Sequence, residues 1–161
     1  MKFSVLTLFP EIISNYCNQS IIKRACQNNI IETEIINPRD FTLDKHKKVD
    51  DTPYGGGAGM VLMPQPFVDA YDSIEKFKNS LTIMLTPQGE VFDDEMSNEL
   101  AQFEQIILIC GHYEGFDERI RLGLNPREIS IGDFVLTGGE LPALILIDSI
   151  SRNIENFLGK E

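Results

Sequence analysis

Four short apolar runs, each bounded by proline, asparagine or glycine, constrain the fold of this chain more than any other feature. They cover residues 3–8, 31–36, 81–85 and 106–110, and their length and composition are typical of β-strands. Segments with a helical spacing of apolar residues lie between them. Because strands that alternate with helices usually form parallel sheets, the sequence predicts an α/β domain with a mainly parallel sheet and flanking helices.

Three helical segments are predicted between these strands and after them. The segment 11–27 is long enough for one helix, although its apolar residues are irregularly spaced. Apolar residues recur at helical spacing across 67–78 and again across 93–103, where Asp93 is a suitable N-cap.

Length and composition fit one cytoplasmic domain. The chain has 161 residues, and a hydrophobic fraction of 42% is enough to build a buried core. No apolar run approaches the ~18 residues of a membrane-spanning helix, and none resembles a signal peptide. Three cysteines without a CxxC pair favour a reducing compartment over a disulfide scaffold. The net charge of -11 opposes non-specific binding to phosphate backbones, so RNA binding would need a local basic patch or residues outside this chain.

The first of three glycine-rich clusters, residues 53–60, contains four glycines. It has no Gly-Lys-Ser/Thr ending and no GxGxxG spacing between a strand and a helix, which excludes the usual phosphate and dinucleotide loops. Two interpretations stay open: a tight turn, or a loop whose main chain approaches a ligand.

The second cluster, residues 110–119, directly follows the fourth apolar run. That position is the carboxyl end of a strand, where open α/β sheets bind ligands. His112 is a candidate general base, although a lone histidine beside a tyrosine is more often a hydrogen-bonding loop residue. Glu114, Asp117 and Glu118 indicate either a metal site or a solvated acidic loop. No histidine or cysteine completes a transition-metal set, so we expect no such site here.

The third cluster, residues 130–142, alternates apolar residues with turn-forming ones. Two glycines precede a helix that carries Pro142 in its first turn. Main-chain groups framed by Ile131, Phe134 and Leu136 would suit a flat heteroaromatic ring such as adenine. The simpler interpretation is a strand, a turn and a core helix, and spacing alone favours it.

The helix after Pro142 carries an apolar surface too broad for a narrow stripe, made of Leu144, Ile145, Ile147 and Ile150. Such a helix is buried on several sides, either in the core or against another chain. Arg152 follows at its C-terminal end, where it either favours the helix dipole, pairs with Asp148 or clamps an anion or carbonyl.

Five spaced motifs together resemble one family closely. They are Pro10 after the first strand, the segment DDTPYGGGAGM at 50–60, TPQG at 86–89, CGHYEG at 110–115 and SIGDFVL at 130–136. In this order they resemble the bacterial tRNA (guanine-N1)-methyltransferases of the SPOUT class. The resemblance covers essentially the whole chain, and five ordered motifs are far more specific than one.

The resemblance implies a deep C-terminal trefoil knot, formed where the second and third clusters thread past each other, with S-adenosylmethionine bound in that knot. Many contacts would be made by the main chain. Replacing Gly138 with Val would then fill ligand space and resist a positive φ. The implied cofactor-binding residues are Leu85, Thr86, Pro87, Gly111, Tyr113, Glu114, Ile131, Gly132, Asp133, Phe134, Val135, Leu136, Gly138 and Gly139.

The resemblance also implies a reaction. Members of the family are homodimers that methylate N1 of the guanosine immediately 3′ of the tRNA anticodon. N1 must lose its proton, and negative charge then spreads toward O6, so catalysis needs a base and a cation. The cation of the family corresponds to Arg152. Mg²⁺ beside Glu114 is a further implication.

The base of the family is an aspartate in a linker that has no counterpart within residues 1–161, and the C-terminal tRNA-binding domain of the family is absent as well. We therefore expect this chain to be the cofactor-binding domain and to be catalytically incomplete alone. An alternative is a non-catalytic knotted module for ligand binding or dimerisation. A nicotinamide-dependent oxidoreductase is disfavoured, because no GxGxxG follows the first strand.

Overall fold

Seven strands and six helices alternate within residues 1–53, 55–112 and 115–159, the part of the chain that the computed structural model describes. The strands are β1 (Lys2–Leu6), β2 (Glu32–Ile36), β3 (Asp50–Asp51), β4 (Val61–Leu62), β5 (Ser80–Val91), β6 (Gln105–Ile109) and β7 (Arg127–Ser130). The helices are α1 (Pro10–Cys17), α2 (Ser20–Gln27), α3 (Pro64–Asp72), α4 (Asp94–Leu100), α5 (Glu118–Leu124) and α6 (Glu140–Ser151), and a 3-10 turn spans Pro38–Phe41. None of these helices has the length and apolarity needed to cross a membrane.

Five strands form one parallel sheet in the order β2-β1-β6-β5-β7. The strands β3 and β4 pair separately as a short antiparallel ribbon. All residues of the central strand β6 are buried, because a parallel sheet is covered by helices on both faces. The predicted α/β class with a mainly parallel sheet is confirmed.

Two hydrophobic cores lie on opposite faces of this sheet. Along β6, Ile106 and Leu108 pack into a core shared with α1, α2, α4 and α6. Ile107 and Ile109 pack into a second core shared with α3 and α5. The alternation follows from the two-residue period of a strand. Burial on both faces therefore explains why this strand is a continuous apolar run in the sequence.

Two predicted helices differ from the observed ones. The segment 11–27 forms two helices instead of one, because Gln19 is extended and Ser20 has a φ of +53°, which no continuous right-handed helix accommodates. Helix α3 ends at Asp72, short of the predicted 78. The predicted cap of α4 is confirmed, since the Asp93 carboxylate accepts a hydrogen bond from the Met96 N–H at 2.8 Å.

An irregularity in β5 changes the path of the chain after Leu85. Both Leu85 and Glu90 are in register with Ile129 of β7, so residues 86–89 bulge out of the ladder between them. Gly89 closes the bulge against β7. A Cβ at this position would lie 2.4 Å from the main-chain carbon of Glu128, so only glycine allows the two strands to meet.

Candidate functional site

Three segments meet at the carboxyl ends of β5, β6 and β7. They are the 86–89 bulge, the segment after β6 and the segment 131–139 that joins β7 to α6. Between them lies a pocket of about 570 Å³. Clefts at the carboxyl ends of parallel strands are where open α/β sheets usually bind ligands. The sheet topology therefore places all three motifs at one candidate binding site.

The structure brings most of the proposed cofactor-binding residues to the wall of this pocket. Gly132 and Asp133 belong to the same loop but do not line the pocket, and Tyr113 and Glu114 lie outside the described residues. The proposed residues that line the pocket are Leu85, Thr86, Pro87, Gly111, Ile131, Phe134, Val135, Leu136, Gly138 and Gly139.

The second and third clusters are in main-chain contact behind the pocket. The N–H of Gly139 donates to the carbonyl oxygen of Gly111 at 2.9 Å. A Cβ on Gly139 would lie 2.8 Å from the Cα of Cys110, so the two chain segments can approach this closely only because the residue is glycine. This glycine is required for packing, since its φ is not positive.

A buried carboxylate supports the pocket from below. Glu140, the first residue of α6, is 3% exposed and accepts a hydrogen bond from the Thr7 hydroxyl at 2.7 Å. Its other oxygen lies 2.7 Å from Nε2 of His112, whose ring packs 4.6 Å from that of Phe9. His112 is therefore a hydrogen-bonding loop residue in this structure. Burial, and then the charge of Glu140, raises the pKa of the Cys110 thiol well above its ordinary value.

The expected reason for Gly138 needs correction. Its φ is not positive, and a Cβ there would not enter open ligand space. It would instead lie 2.3 Å from the ring atom Cε1 of His112 and 2.8 Å from Oε2 of Glu140. Gly138 thus makes room for the His112–Glu140 contact that supports the pocket.

Exposed apolar side chains flank the opening of the pocket. Phe134 is 53% exposed and Leu136 is 37% exposed, although both line the pocket. The Phe134 ring lies over Gly132, where a Cβ would be 2.6 Å from the ring. Apolar rings and chains left open to solvent beside a pocket are typical of surfaces that a ligand covers.

Charged groups from α5 form one side of the rim. Glu118 and Arg121 both line the pocket, and Arg121 Nη1 lies 2.9 Å from Glu118 Oε2. Its Nε lies 2.9 Å from Oε1 of Glu128 in β7. Nearby, Arg119 donates to Asp117 and holds the pKa of that carboxyl below its usual value. Within the described residues no group of histidine, cysteine and acidic side chains has the arrangement of a metal site.

Arg152 lies far from this pocket. Pro142 of α6 still lines the pocket, and Arg152 follows it by ten residues, so Arg152 is about 15 Å away along the helix axis. The expected pairing of Arg152 with Asp148 is not formed. Asp148 instead accepts a hydrogen bond from the Tyr16 hydroxyl, and within the described residues Arg152 has no ion-pair partner.

The first glycine-rich cluster does not line the pocket either. Its residues 55–59 are exposed and belong to the connection between β3 and β4. Tyr54 lies outside the described residues. The ribbon is anchored beside the site, because the Leu62 N–H donates to the Gly115 carbonyl oxygen at 2.9 Å.

Comparison with known proteins decides the family. The family described as tRNA (Guanine-1)-methyltransferase TrmD matches residues 1–161. The chain belongs to the tRNA (guanine-N1)-methyltransferase family. A protein of Clostridioides difficile (strain 630) named tRNA (guanine-N(1)-)-methyltransferase is 56% identical over 164 residues, which cover 100% of this chain and 71% of that protein. A protein of Dehalococcoides mccartyi (strain CBDB1) with the same name is 55% identical over 161 residues, which cover 99% of this chain and 65% of that protein.

Sequence reasoning did not assign three residues to the cofactor site: Glu140, which lies beneath the pocket, and Glu118 and Arg121, which line it. Glu140 follows two glycines at the start of a helix, and an acidic residue at a helix N-terminus is a detectable signal for a favourable electrostatic position. Arg121 belongs to no motif. Glu118 fits an acidic loop as well as it fits a site. Neither position on α5 could be assigned to the site without knowing which face of that helix the pocket meets.

Proposed function

We propose that residues 1–161 form a domain that binds S-adenosylmethionine for the methylation of guanine N1 in tRNA. One observation carries the proposal: the TPQG, CGH and SIGDFVL motifs, distant in sequence, converge on a single pocket in a member of this family. The relatives named above support the choice of reaction, and the pocket supports the choice of domain. The guanosine immediately 3′ of the anticodon is the proposed target, on the strength of the family resemblance.

The residues present fit this cofactor. A volume of about 570 Å³ lies in the ordinary range for small-molecule sites, roughly 300–1,000 Å³. Ile131 and Leu136 offer an apolar frame for an adenine ring, and the adjacent main chain supplies donors and acceptors for its edge. When bound, the cofactor supplies a methyl group on a sulfonium centre. The chain itself binds and orients it, and excludes water through Phe134 and Leu136.

We also propose that the chain is knotted around this pocket. The support is the contact between the second and third clusters, where Gly139 donates to Gly111 and a bridge joins His112 to Gly138. The helix α6 then continues into the core on one face of the sheet. A knot would explain why glycines occur at both contact points, because the two segments must cross without side chains between them.

The position of Arg152 leads us to propose a homodimer as the active unit. One chain does not bring Arg152 to its own pocket, since α6 separates Arg152 from the pocket-lining Pro142 by about 15 Å. A two-fold axis across α6 would run the two helices antiparallel, so that Arg152 of the partner subunit lies near the pocket. Its guanidinium would stabilise negative charge on O6 of the guanine as N1 loses its proton.

An exposed apolar surface supports this dimer. Phe9, Ile12 and Tyr16 are 42–43% exposed along α1, and Leu141 and Ile145 are 59% and 45% exposed along the neighbouring α6. The hydrogen bond between Tyr16 and Asp148 joins the two helices into one face. The rest of the broad apolar surface of α6 is buried in the chain's own core, so the proposed interface is narrower than the sequence suggested.

Binding of the cofactor is tested by calorimetry. Wild-type protein is titrated with S-adenosylmethionine, with S-adenosylhomocysteine and with NADH. We expect the two adenosyl ligands to bind and NADH not to bind. Leu136→Asp should abolish binding because it places a charge in the apolar frame, whereas Leu43→Asp, 86% exposed and outside the pocket, should bind as wild type does. Equal affinity in both variants would remove the pocket from the proposal.

Methyl transfer is tested separately. The matched region covers 65–71% of the relatives named above, and we propose that the general base comes from sequence beyond it. This chain and a protein extended to the length of the relatives are compared for transfer of radiolabelled methyl to unmodified tRNA. We expect the shorter chain to be slower by ~10² to 10⁴, the range for losing a general base. Comparable rates would show that the base lies within residues 1–161. Binding without transfer in both proteins would favour a non-catalytic module.

A further inference from the structure

The charged side chains that line the pocket lie on one side of it. Among the described residues that line it, the ionisable ones are His112, Glu118 and Arg121. His112 is engaged with the buried Glu140 below the pocket. The remaining two, Glu118 and Arg121, are charged and lie on α5, whereas the loop that carries Ile131 lines the pocket with apolar side chains. The pocket therefore has an apolar side and one side with both a cation and an anion.

Arg121 is held in place but retains capacity for another partner. Its Nη1 pairs with Glu118 at 2.9 Å, and its Nε lies 2.9 Å from Glu128. The Nε atom is buried, yet its N–H is not aligned on any acceptor as a hydrogen bond. A guanidinium offers five N–H donors in a planar fork that matches a carboxylate. The carboxylates of Glu118 and Glu128 fix the position of this guanidinium and leave some of its N–H groups without a hydrogen-bond acceptor among the described residues.

We infer that Arg121 and Glu118 bind the amino-acid end of S-adenosylmethionine, with Arg121 facing its α-carboxylate and Glu118 its α-ammonium. The inference rests on the proposed function. The ligand has a flat heteroaromatic end and a zwitterionic end, and this pocket has an apolar side and a side with paired opposite charges. In this orientation the adenine lies on the apolar side of the pocket and the amino-acid end lies beside α5.

A purely structural role for Arg121 makes a different prediction. The contact of Arg121 with Glu128 joins α5 to β7, so its loss could loosen the whole pocket. Loosening would weaken every adenosine ligand alike. Recognition of the amino-acid end would weaken only ligands that possess that end. A truncated ligand therefore separates the two roles.

The experiment compares two ligands in the same calorimetric assay, S-adenosylhomocysteine and 5′-methylthioadenosine. Both carry adenosine and sulfur, and only the first carries the amino-acid end. We expect Arg121→Met to lower the affinity for S-adenosylhomocysteine by roughly tenfold to a hundredfold, the range for losing a charge-assisted hydrogen bond. Its affinity for 5′-methylthioadenosine should change less than about twofold. The control Arg24→Met, on the exposed side of α2, should leave both affinities unchanged.

Two further variants guard against misfolding of the first. Arg121→Lys keeps the charge and loses the fork, and Glu118→Gln keeps the shape and loses the charge. Each should weaken S-adenosylhomocysteine selectively and by less than Arg121→Met does. Equal weakening of both ligands, or no weakening of either, would overturn the inference while leaving the proposed function intact. Failure of wild-type protein to bind either ligand would overturn the proposed function, and this inference with it.

Discussion

Gly138→Ala adds a single methyl group at the most crowded point of the pocket floor. The new Cβ would lie 2.3 Å and 2.4 Å from the Cε1 and Nε2 atoms of His112 and 2.8 Å from the Glu140 carboxylate. Real Cβ contacts lie beyond about 3.4 Å, so the His112 ring must move by about 1 Å. That movement breaks its 2.7 Å contact with Glu140. The backbone itself tolerates alanine, because the φ of Gly138 is not positive.

The cost follows from what the displaced ring leaves behind. Glu140 is almost fully buried, and without His112 the Thr7 hydroxyl is its one remaining side-chain partner among the described residues. Leaving a buried polar group unsatisfied costs about 1–3 kcal/mol, and forcing a methyl group into a packed site costs about 1–3 kcal/mol. The two effects overlap, since the same movement relieves both. We expect Gly138→Ala to lower the free energy of unfolding by about 2–4 kcal/mol.

Gly123→Ala is the matched control, because it is the same substitution in open space. Gly123 lies inside α5 without a positive φ, and a Cβ added to it would meet nothing within 4 Å. Alanine there should raise the free energy of unfolding by about 0.5–1 kcal/mol through helix propensity. Urea unfolding followed by circular dichroism measures both variants. A Gly138→Ala protein within about 0.5 kcal/mol of wild type would refute the claim that His112 and Glu140 fix this part of the pocket.

Three other outcomes are expected. Burial raises the pKa of Cys17 to about 11, so its thiol stays protonated at pH 8 and should resist alkylation in the native protein but not in urea, as mass spectrometry would show. Ile145→Glu should convert a dimer into a monomer in light scattering, and an unchanged mass would remove this face from the interface. The hydrogen bond from Arg119 lowers the pKa of Asp117. The Arg119–Asp117 pair should therefore stabilise the protein fully above about pH 4, and its contribution should vanish as the pH falls through the lowered pKa. Arg119→Met should accordingly be less stable than wild type above about pH 4 and equally stable at about pH 2. Equal differences at pH 7 and pH 2 would contradict that linkage.

The sheet was predictable because its strands are local features. The apolar run at 106–110 is recognisable without knowing its neighbours, since burial on both faces leaves no polar position in it. The break between α1 and α2 was missed because Ser20 adopts a positive φ that serine rarely does. Asn18, the C-cap of α1, is a weaker stop signal than the glycine that most often ends a helix. The bulge at 86–89 depends on the register between β5 and β7, which no single segment encodes.

In the candidate site, too, some residues were predictable from their own segment, whereas others depend on how distant segments pack. The apolar frame at Ile131 and Leu136 was expected from the pattern of its own loop, and the structure places both residues on the pocket wall. Arg121 was not expected, because only the packing of α5 against the sheet turns that residue toward the pocket. Arg152 was expected in the site and is not brought there within one chain, since it follows the 12-residue helix α6, which begins at the pocket.

The glycines show why family resemblance located residues that periodicity could not. In the loop 55–59 all four glycines have positive φ, and a Cβ on Gly55, Gly56 or Gly57 would meet nothing within 4 Å. Their role is therefore local, and the density of glycines in the sequence indicates it. Gly89 and Gly139 have no positive φ, and a Cβ on either would strike the main chain of another segment. Their role is to let two distant parts of the chain touch. Which parts touch is tertiary information, and a single sequence supplies it only through likeness to proteins that fold the same way.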